Sequence, residues 1–173
     1  MNSMSKGYSE KDCGCKKEKE KEAEVLLKCK TGTPITVTLG DDATTNTVST
    51  LTLKTSHFND PCIKLEFASN IVAAPEDGKD LTLNFQVFKK CKGETDASKI
   101  GPVWTFARAG QLKNTTDTFT FIVCDCDCDC DCDKDDCCTY SVVVTTPAGG
   151  KGVANINNPI LSAIVVEKNN RCQ

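Results

Sequence analysis

Five cysteines alternate with five aspartates from Cys124 to Asp133, and Lys134, Asp135 and Asp136 then lead to the adjacent pair Cys137 and Cys138. Thiols at this density suit two chemistries: disulfide formation, or coordination of soft cations in a metallothionein-like cluster, which the flanking carboxylates would assist by adding negative potential. In an extended chain the period of two puts the thiols Cys124, Cys126, Cys128, Cys130 and Cys132 on one face and the carboxylates on the other. Same-face neighbours then lie about 6.6 Å apart, whereas a disulfide needs Cβ atoms roughly 3.5–4.5 Å apart. Cysteines two apart in a regular strand therefore cannot bridge each other. Their partners must come from an opposite strand, another element, another chain or a metal.

The run lies between two β-rich segments, Thr118 to Val123 and Thr139 to Thr146, so a hairpin over about 124–138, turning near Lys134 and Asp135, is the simplest expectation. A two-residue turn would set Cys132 opposite Cys137; a shift of one residue would set Cys130 opposite Cys138. The shifted register is preferred, because it faces Cys124, Cys126 and Cys128 toward Val144, Val142 and Tyr140. It requires a bulge near Val123, since Phe119, Phe121 and Val123 otherwise share a face with the aspartates. Metal is the competing account. Against it, thiolate clusters need the chain to coil around the ion, Cys-x-x-Cys pairs are absent, and His57 is the only histidine.

The chain carries 13 cysteines, an odd number, so at least one thiol must stay free, bind metal or bond to another chain. Outside the run they are Cys13, Cys15, Cys29, Cys62, Cys91 and Cys172. Cys13 and Cys15 sit on a polar arm, Met1 to Leu27, in which Glu and Lys alternate and a short helix over Glu18 to Leu27 is open on propensity. The N-terminus shows no apolar signal region, which leads us to expect synthesis in the cytoplasm, with oxidation after the producing cell lyses. No segment is apolar enough for a transmembrane helix, and the net charge of −3 gives no reason to expect nucleic acid or an anionic membrane as partner.

No reaction is expected. A catalytic thiol normally needs a base, and His57, in a Ser-His-Phe stretch before a turn, reads as a surface residue. Gly-x-Ser-x-Gly, His-Glu-x-x-His and phosphate-cradling loops are missing, and Gly149-Gly150-Lys151-Gly152 reads as a turn between strands. No cofactor is implied.

The elements that must hold these thiols are strands. Ile35, Val37 and Leu39 alternate with threonines, as do Ile63, Leu65 and Phe67 with charged residues and Leu81, Leu83, Phe85 and Val87 with polar ones. Val48 to Lys54, Val103 to Ala107 and Ile160 to Val166 are also β-rich, and turn residues separate the segments. The expectation is an all-β antiparallel sandwich or jelly roll of about eight strands over 28–173, with an N-terminal arm at 1–27. Val142-Val143-Val144 and Ile164-Val165-Val166 suggest strands covered on both faces, either as central strands of one domain or by a neighbouring molecule.

Leu27-Lys28-Cys29, Pro61-Cys62-Ile63-Lys64-Leu65-Glu66-Phe67-Ala68-Ser69-Asn70-Ile71, Leu83-Asn84-Phe85-Gln86-Val87-Phe88-Lys89-Lys90-Cys91, Trp104-Thr105-Phe106, Phe119-Thr120-Phe121 and Cys138-Thr139-Tyr140 resemble an uncharacterised cysteine-rich domain family of clostridia. The plan, a cysteine-bearing arm before a β-sandwich, is similar to Ena-type endospore appendage subunits. That resemblance implies a jelly roll that builds spore fibres, with the arm residues Cys13 and Cys15 crosslinked to other subunits. The arm here is longer and more charged, and the cysteine-aspartate repeat has no counterpart in that layout.

The leading reading is a self-assembling structural subunit of a disulfide-crosslinked extracellular fibre, a helical homopolymer whose partners are copies of itself. Cys13 and Cys15 are the preferred intermolecular thiols. Cys29, Cys62, Cys91, Cys172 and the hairpin cysteines Cys124, Cys126, Cys128, Cys130, Cys132, Cys137 and Cys138 are the acceptors to choose among. The alternatives are a metal-binding protein using the run, and a monomeric β-sandwich binding module.

Overall fold

Apolar residues alternate with polar ones along each segment because a pleated strand sends successive side chains to opposite faces, one entering a core and the other meeting water. In the computed structural model, which describes residues 24–58, 60–76, 78–109, 114–126 and 137–167, these segments form nine strands. They are β1 (Val25–Thr31), β2 (Ile35–Leu39), β3 (Thr45–Lys54), β4 (Pro61–Pro75), β5 (Leu81–Cys91), β6 (Ser98–Arg108), β7 (Thr115–Asp125), β8 (Cys137–Thr145) and β9 (Gly152–Glu167).

Two antiparallel sheets face each other. A five-stranded sheet orders β1-β9-β4-β7, with β2 following β1 along the same edge of β9, and a four-stranded sheet orders β3-β8-β5-β6. The chain changes sheet at every connection except β1–β2 and β5–β6, which gives the interleaved jelly-roll sandwich. Both sheets point their inner residues into one core, where Tyr140, Phe67, Phe85, Leu51, Leu65 and Ile71 are fully buried. An aromatic cluster crosses the gap: Phe85 meets Phe119 with ring centroids 4.8 Å apart, and Trp104 stacks on Phe121 at 5.5 Å. Such pairs add specific geometry to plain area burial.

The strand beyond the expected eight is β1. Val25 to Leu27 is strand and neither arm nor helix, because Leu26 packs against the core and the segment pairs in register with β9 from Val25↔Val166 to Thr31↔Ile160. Tertiary pairing outweighs the local Glu/Lys preference for helix; the remainder of the expected helix, before Glu24, falls outside the described residues. At Gly32 the edge strand breaks into β1 and β2. The Gly32 amide donates to the Pro159 carbonyl at 2.7 Å, and a Cβ there would run into the Val48 carbonyl.

The two valine-rich runs differ. Val142 and Val144 are fully buried and Val143 half-buried, because β8 lies between β3 and β5. In the β9 run only Val165 of the three is buried; Ile164 and Val166 remain 39% and 36% exposed on the outer face of the five-stranded sheet.

Candidate functional site

β7 pairs with β4 without a register shift, from Ala73↔Thr115 to Ile63↔Asp125. The inner face of β7 is therefore Phe119, Phe121, Val123 and Asp125, and the outer face carries Ile122 and Cys124. This corrects the expected bulge near Val123 and the expected inward facing of Cys124 and Cys126. The aspartate goes in and the thiols go out.

The expected hairpin does not form either. β7 belongs to the five-stranded sheet and β8 to the four-stranded one, and β8 is already flanked on both sides by β3 and β5, so it has no free edge to accept β7. The cysteine-aspartate run thus connects the two sheets. Cys128, Cys130 and Cys132 lie outside the described residues, and with them the expected pairing of Cys132 with Cys137; the expected placement of Cys130 opposite Cys138 is corrected, because Cys138 already lies between Leu53 and Cys91 and is bonded to Cys91.

Each end of the run is fastened by a disulfide to the strand beside it. Cys126 bonds Cys62, the residue before Ile63, in the five-stranded sheet. Cys138 bonds Cys91, its direct cross-strand partner, in the four-stranded sheet. The sequence separations are 64 and 47 residues, and in the chain-entropy picture a loop of such length is worth about 4 kcal/mol. These pairs follow the rule drawn from strand geometry, that cysteines two apart seek partners elsewhere. They also take Cys62, Cys91, Cys126 and Cys138 out of the set of intermolecular candidates.

Three described cysteines remain free: Cys29 on β1 and Cys124 on β7, both exposed, and Cys137 at the start of β8, half-buried. Cys29 and Cys124 face the same side. On the outer face of the five-stranded sheet, one row across the strands reads Leu27, Ile164, Lys64, Cys124 and the next reads Cys29, Ser162, Glu66, Ile122. Val25, Leu27, Ile122, Ile160, Ile164 and Val166 all show substantial exposure on this face. Cys137 instead lines a groove on the opposite sheet with Phe88, Thr139, Ser141 and Val143. Cys13, Cys15 and Cys172 lie outside the described residues.

Around Asp125, at the end of β7, sits a polar cluster that the sequence reading did not pick out. The Tyr140 hydroxyl donates to the Asp125 carboxylate at 2.6 Å, and Lys89 Nζ lies 2.9 Å from the same oxygen. All three residues are buried, and the cluster joins β7 of one sheet to β5 and β8 of the other. The Cys91–Cys138 bond closes over it, since Lys89↔Tyr140 and Cys91↔Cys138 are successive inward pairs of the β5–β8 ladder. The signal was available: Lys89 continues the core phase of Leu81, Leu83, Phe85 and Val87, and a lysine in that phase needs a buried anion.

A second ionic tie between the sheets lies at the other end of β7, where Arg108 reaches Asp117 through two contacts of 2.7 and 3.1 Å. The Arg108 hydrogen bond holds the Asp117 carboxyl below its ordinary range. His57 is half-exposed and lies 3.4 Å from a Glu24 oxygen, a surface position as expected. No group of three or more potential metal ligands occurs among the described residues.

The sequence matches the family model described as a domain of unknown function, DUF4489, over residues 23–166. No curated protein matches it. Among solved structures it is similar to that of infectious bursal disease virus, Gx strain, at 11% identity over 86% of this chain and 33% of that one, with a TM-score of 0.49. It is also similar to the infectious bursal disease virus VP2 subviral particle, at 10% identity, 83% and 37% coverage and a TM-score of 0.39. A Family 11 carbohydrate-binding module from Clostridium thermocellum, in complex with a β-1,3-1,4-mixed-linked tetrasaccharide, is 13% identical over 85% of this chain and 84% of that one, at a TM-score of 0.36. The chain spans about a third of the viral proteins it matches. Likeness at this level says nothing of function, and what the comparisons establish is membership: the chain belongs to the DUF4489 domain family.

Proposed function

We propose that this protein is a self-assembling structural subunit of a disulfide-crosslinked extracellular fibre, similar to the appendages of endospores, in which copies of the chain polymerise helically. It is made in the cytoplasm and oxidised on release, and it catalyses no reaction. The carrying observation is the outer face of the five-stranded sheet. Two disulfides have already fastened the fold internally, yet the free thiols Cys29 and Cys124 stand on this face among exposed apolar side chains. Lys64 and Glu66 of β4 lie between Cys124 with Ile122 and the apolar group of β1 and β9, so the face offers exposed apolar side chains on either side of a charged strip, with an accessible thiol near each edge, as a crosslinked protein contact requires.

The chain ends support the same reading. Val25 pairs with Val166, so both ends leave the sheet at one corner. Cys15 precedes Val25 by ten residues, and ten residues reach at most roughly 33–36 Å, a distance that takes in a neighbouring subunit.

The test is to oxidise the purified full chain, run it with and without reductant, and view it by negative-stain microscopy. A ladder that collapses on reduction, together with filaments, is expected. A monomer without filaments would overturn the proposal, and several equivalents of zinc or copper bound to such a monomer would favour metal sequestration through the run.

A further inference from the structure

We infer that successive subunits join edge to edge through β7 of one copy and the β1–β2 edge of the next, and that Cys29 and Cys124 form the disulfide that locks each junction. This rests on the assembly reading above and names its interface.

Among the described residues, the two free edges of the five-stranded sheet are β7 on one side and β1 with β2 on the other. Strand direction alternates across β1, β9, β4 and β7, so β7 of one copy placed beside β1 of the next continues the antiparallel alternation. The β1–β2 edge is also long enough to cover β7. β1 and β2 pair with β9 in one continuous register interrupted only around Gly32, so they form a single broken edge from Val25 to Leu39. β7 runs from Thr115 to Asp125.

Each edge carries one exposed free thiol, and both thiols point to the outer face of the sheet. Hydrogen-bonded and non-bonded roles alternate from one ladder to the next, so three intervening ladders leave the free sides of Cys29 and Cys124 in the same phase. Setting Cys29 opposite Cys124 places Thr31 opposite Ile122 and lays the β1–β2 edge along the length of β7. Directly opposed cysteines in antiparallel strands are the arrangement the chain already uses at Cys91 and Cys138. Strand addition of this kind draws its affinity from the main chain, and it satisfies edge groups that otherwise invite indiscriminate pairing. Because two different edges meet, the contact is heterologous and propagates.

The covalent step needs an oxidant, here a small-molecule disulfide. The thiolate of one cysteine displaces one half of it as a thiol, leaving a mixed disulfide. The second cysteine then attacks the protein sulfur of that mixed disulfide and releases the other half. The two protein thiols are oxidised by two electrons and the small molecule is reduced to two thiols.

Isotope-labelled and unlabelled full chain, mixed and oxidised with glutathione disulfide, are digested without reduction and mapped by mass spectrometry. A Cys29–Cys124 linked peptide is expected, about half of it carrying one labelled and one unlabelled member. Chains in which every cysteine other than Cys29, Cys124 and the two disulfide-bonded pairs is serine provide a second measurement. In that background Cys29→Ser mixed with Cys124→Ser should stop at disulfide-linked dimers, whereas the parent should form a ladder. Cys29–Cys29 or Cys124–Cys124 linkage, or a ladder in the mixture, would overturn the edge pairing. Filaments from the unmodified chain without the Cys29–Cys124 peptide would overturn this junction and leave the assembly reading standing, while the absence of both ladder and filaments removes both.

Discussion

Tyr140 and Asp125 meet at 2.6 Å across the two sheets, the phenol donating to a carboxylate that also receives Lys89 at 2.9 Å. Taking charges out of water costs several kcal/mol per ion, so an arrangement of this kind holds only while each member is satisfied. Lys89→Met keeps the volume and removes the cation, and the expected cost is about 3–5 kcal/mol because Asp125 is left buried and uncompensated. Tyr140→Phe should cost about 1.5–3 kcal/mol, the range for a hydrogen bond to a charged group. Urea titration of both variants measures these values. A loss below ~1 kcal/mol for Lys89→Met would show that the carboxylate reaches water in the folded protein.

The Cys91–Cys138 bond closes over that cluster, so replacing both residues by serine should do more than lengthen the unfolded chain. The entropic part alone is about 4 kcal/mol. Opening a water path to the ionic cluster adds to it, and Cys62→Ser with Cys126→Ser serves as the comparison, since that disulfide lies on the outer face. The first pair should lower the thermal midpoint further than the second. Equal shifts would separate the cluster from the disulfide above it.

Asp117 supplies a pH dependence of definite sign. Arg108 holds its carboxyl below the ordinary value of 3.8, so between that value and the lowered one the unfolded chain binds more protons than the folded protein. The contribution of the pair is therefore complete above the ordinary value and is lost as pH falls through the lowered one. Denaturation followed between neutral and strongly acidic pH should lose part of its slope in Asp117→Asn. An unchanged profile would remove this pair from the acid response.

Gly32→Ala should destabilise the sandwich by about 1–3 kcal/mol, the usual cost of forcing atoms into a filled space, because the added Cβ meets the Val48 carbonyl where β1 passes into β2. The effect should be local. Hydrogen exchange is expected to accelerate along Val25–Thr31 and to stay slow in β4 and β5; uniform acceleration would contradict that placement.

How far the sequence was legible depends on which residues carried the pattern. Alternation in Ile63, Leu65 and Phe67 and in Leu81, Leu83 and Phe85 marked β4 and β5 plainly, because one buried face writes a period of two. β1 was hidden, since Val25-Leu26-Leu27 follows a Glu/Lys stretch and its strand character comes from a long-range partner, β9. The cysteine run was misread for a related reason. Nearness in sequence favoured a hairpin, whereas a jelly roll sends adjacent strands to opposite sheets. The unbulged alternative, with the aspartates sharing the face of Phe119, Phe121 and Val123, is the one the structure adopts for Asp125. What tipped it was the lysine at position 89, whose charge makes an inward carboxylate affordable.

Because Cys126 is bolted to Cys62 and Cys138 to Cys91, the number of Cys-Asp dipeptides between the bolts is decoupled from the phase of either flanking strand. Gene slippage that adds or deletes dipeptide units would change the sulfur content of the subunit while leaving β7 and β8 aligned with their neighbours. The same arrangement makes the segment a fuse: a chain cut anywhere between the bolts stays one covalent molecule through Cys91 and Cys138 until a reductant arrives.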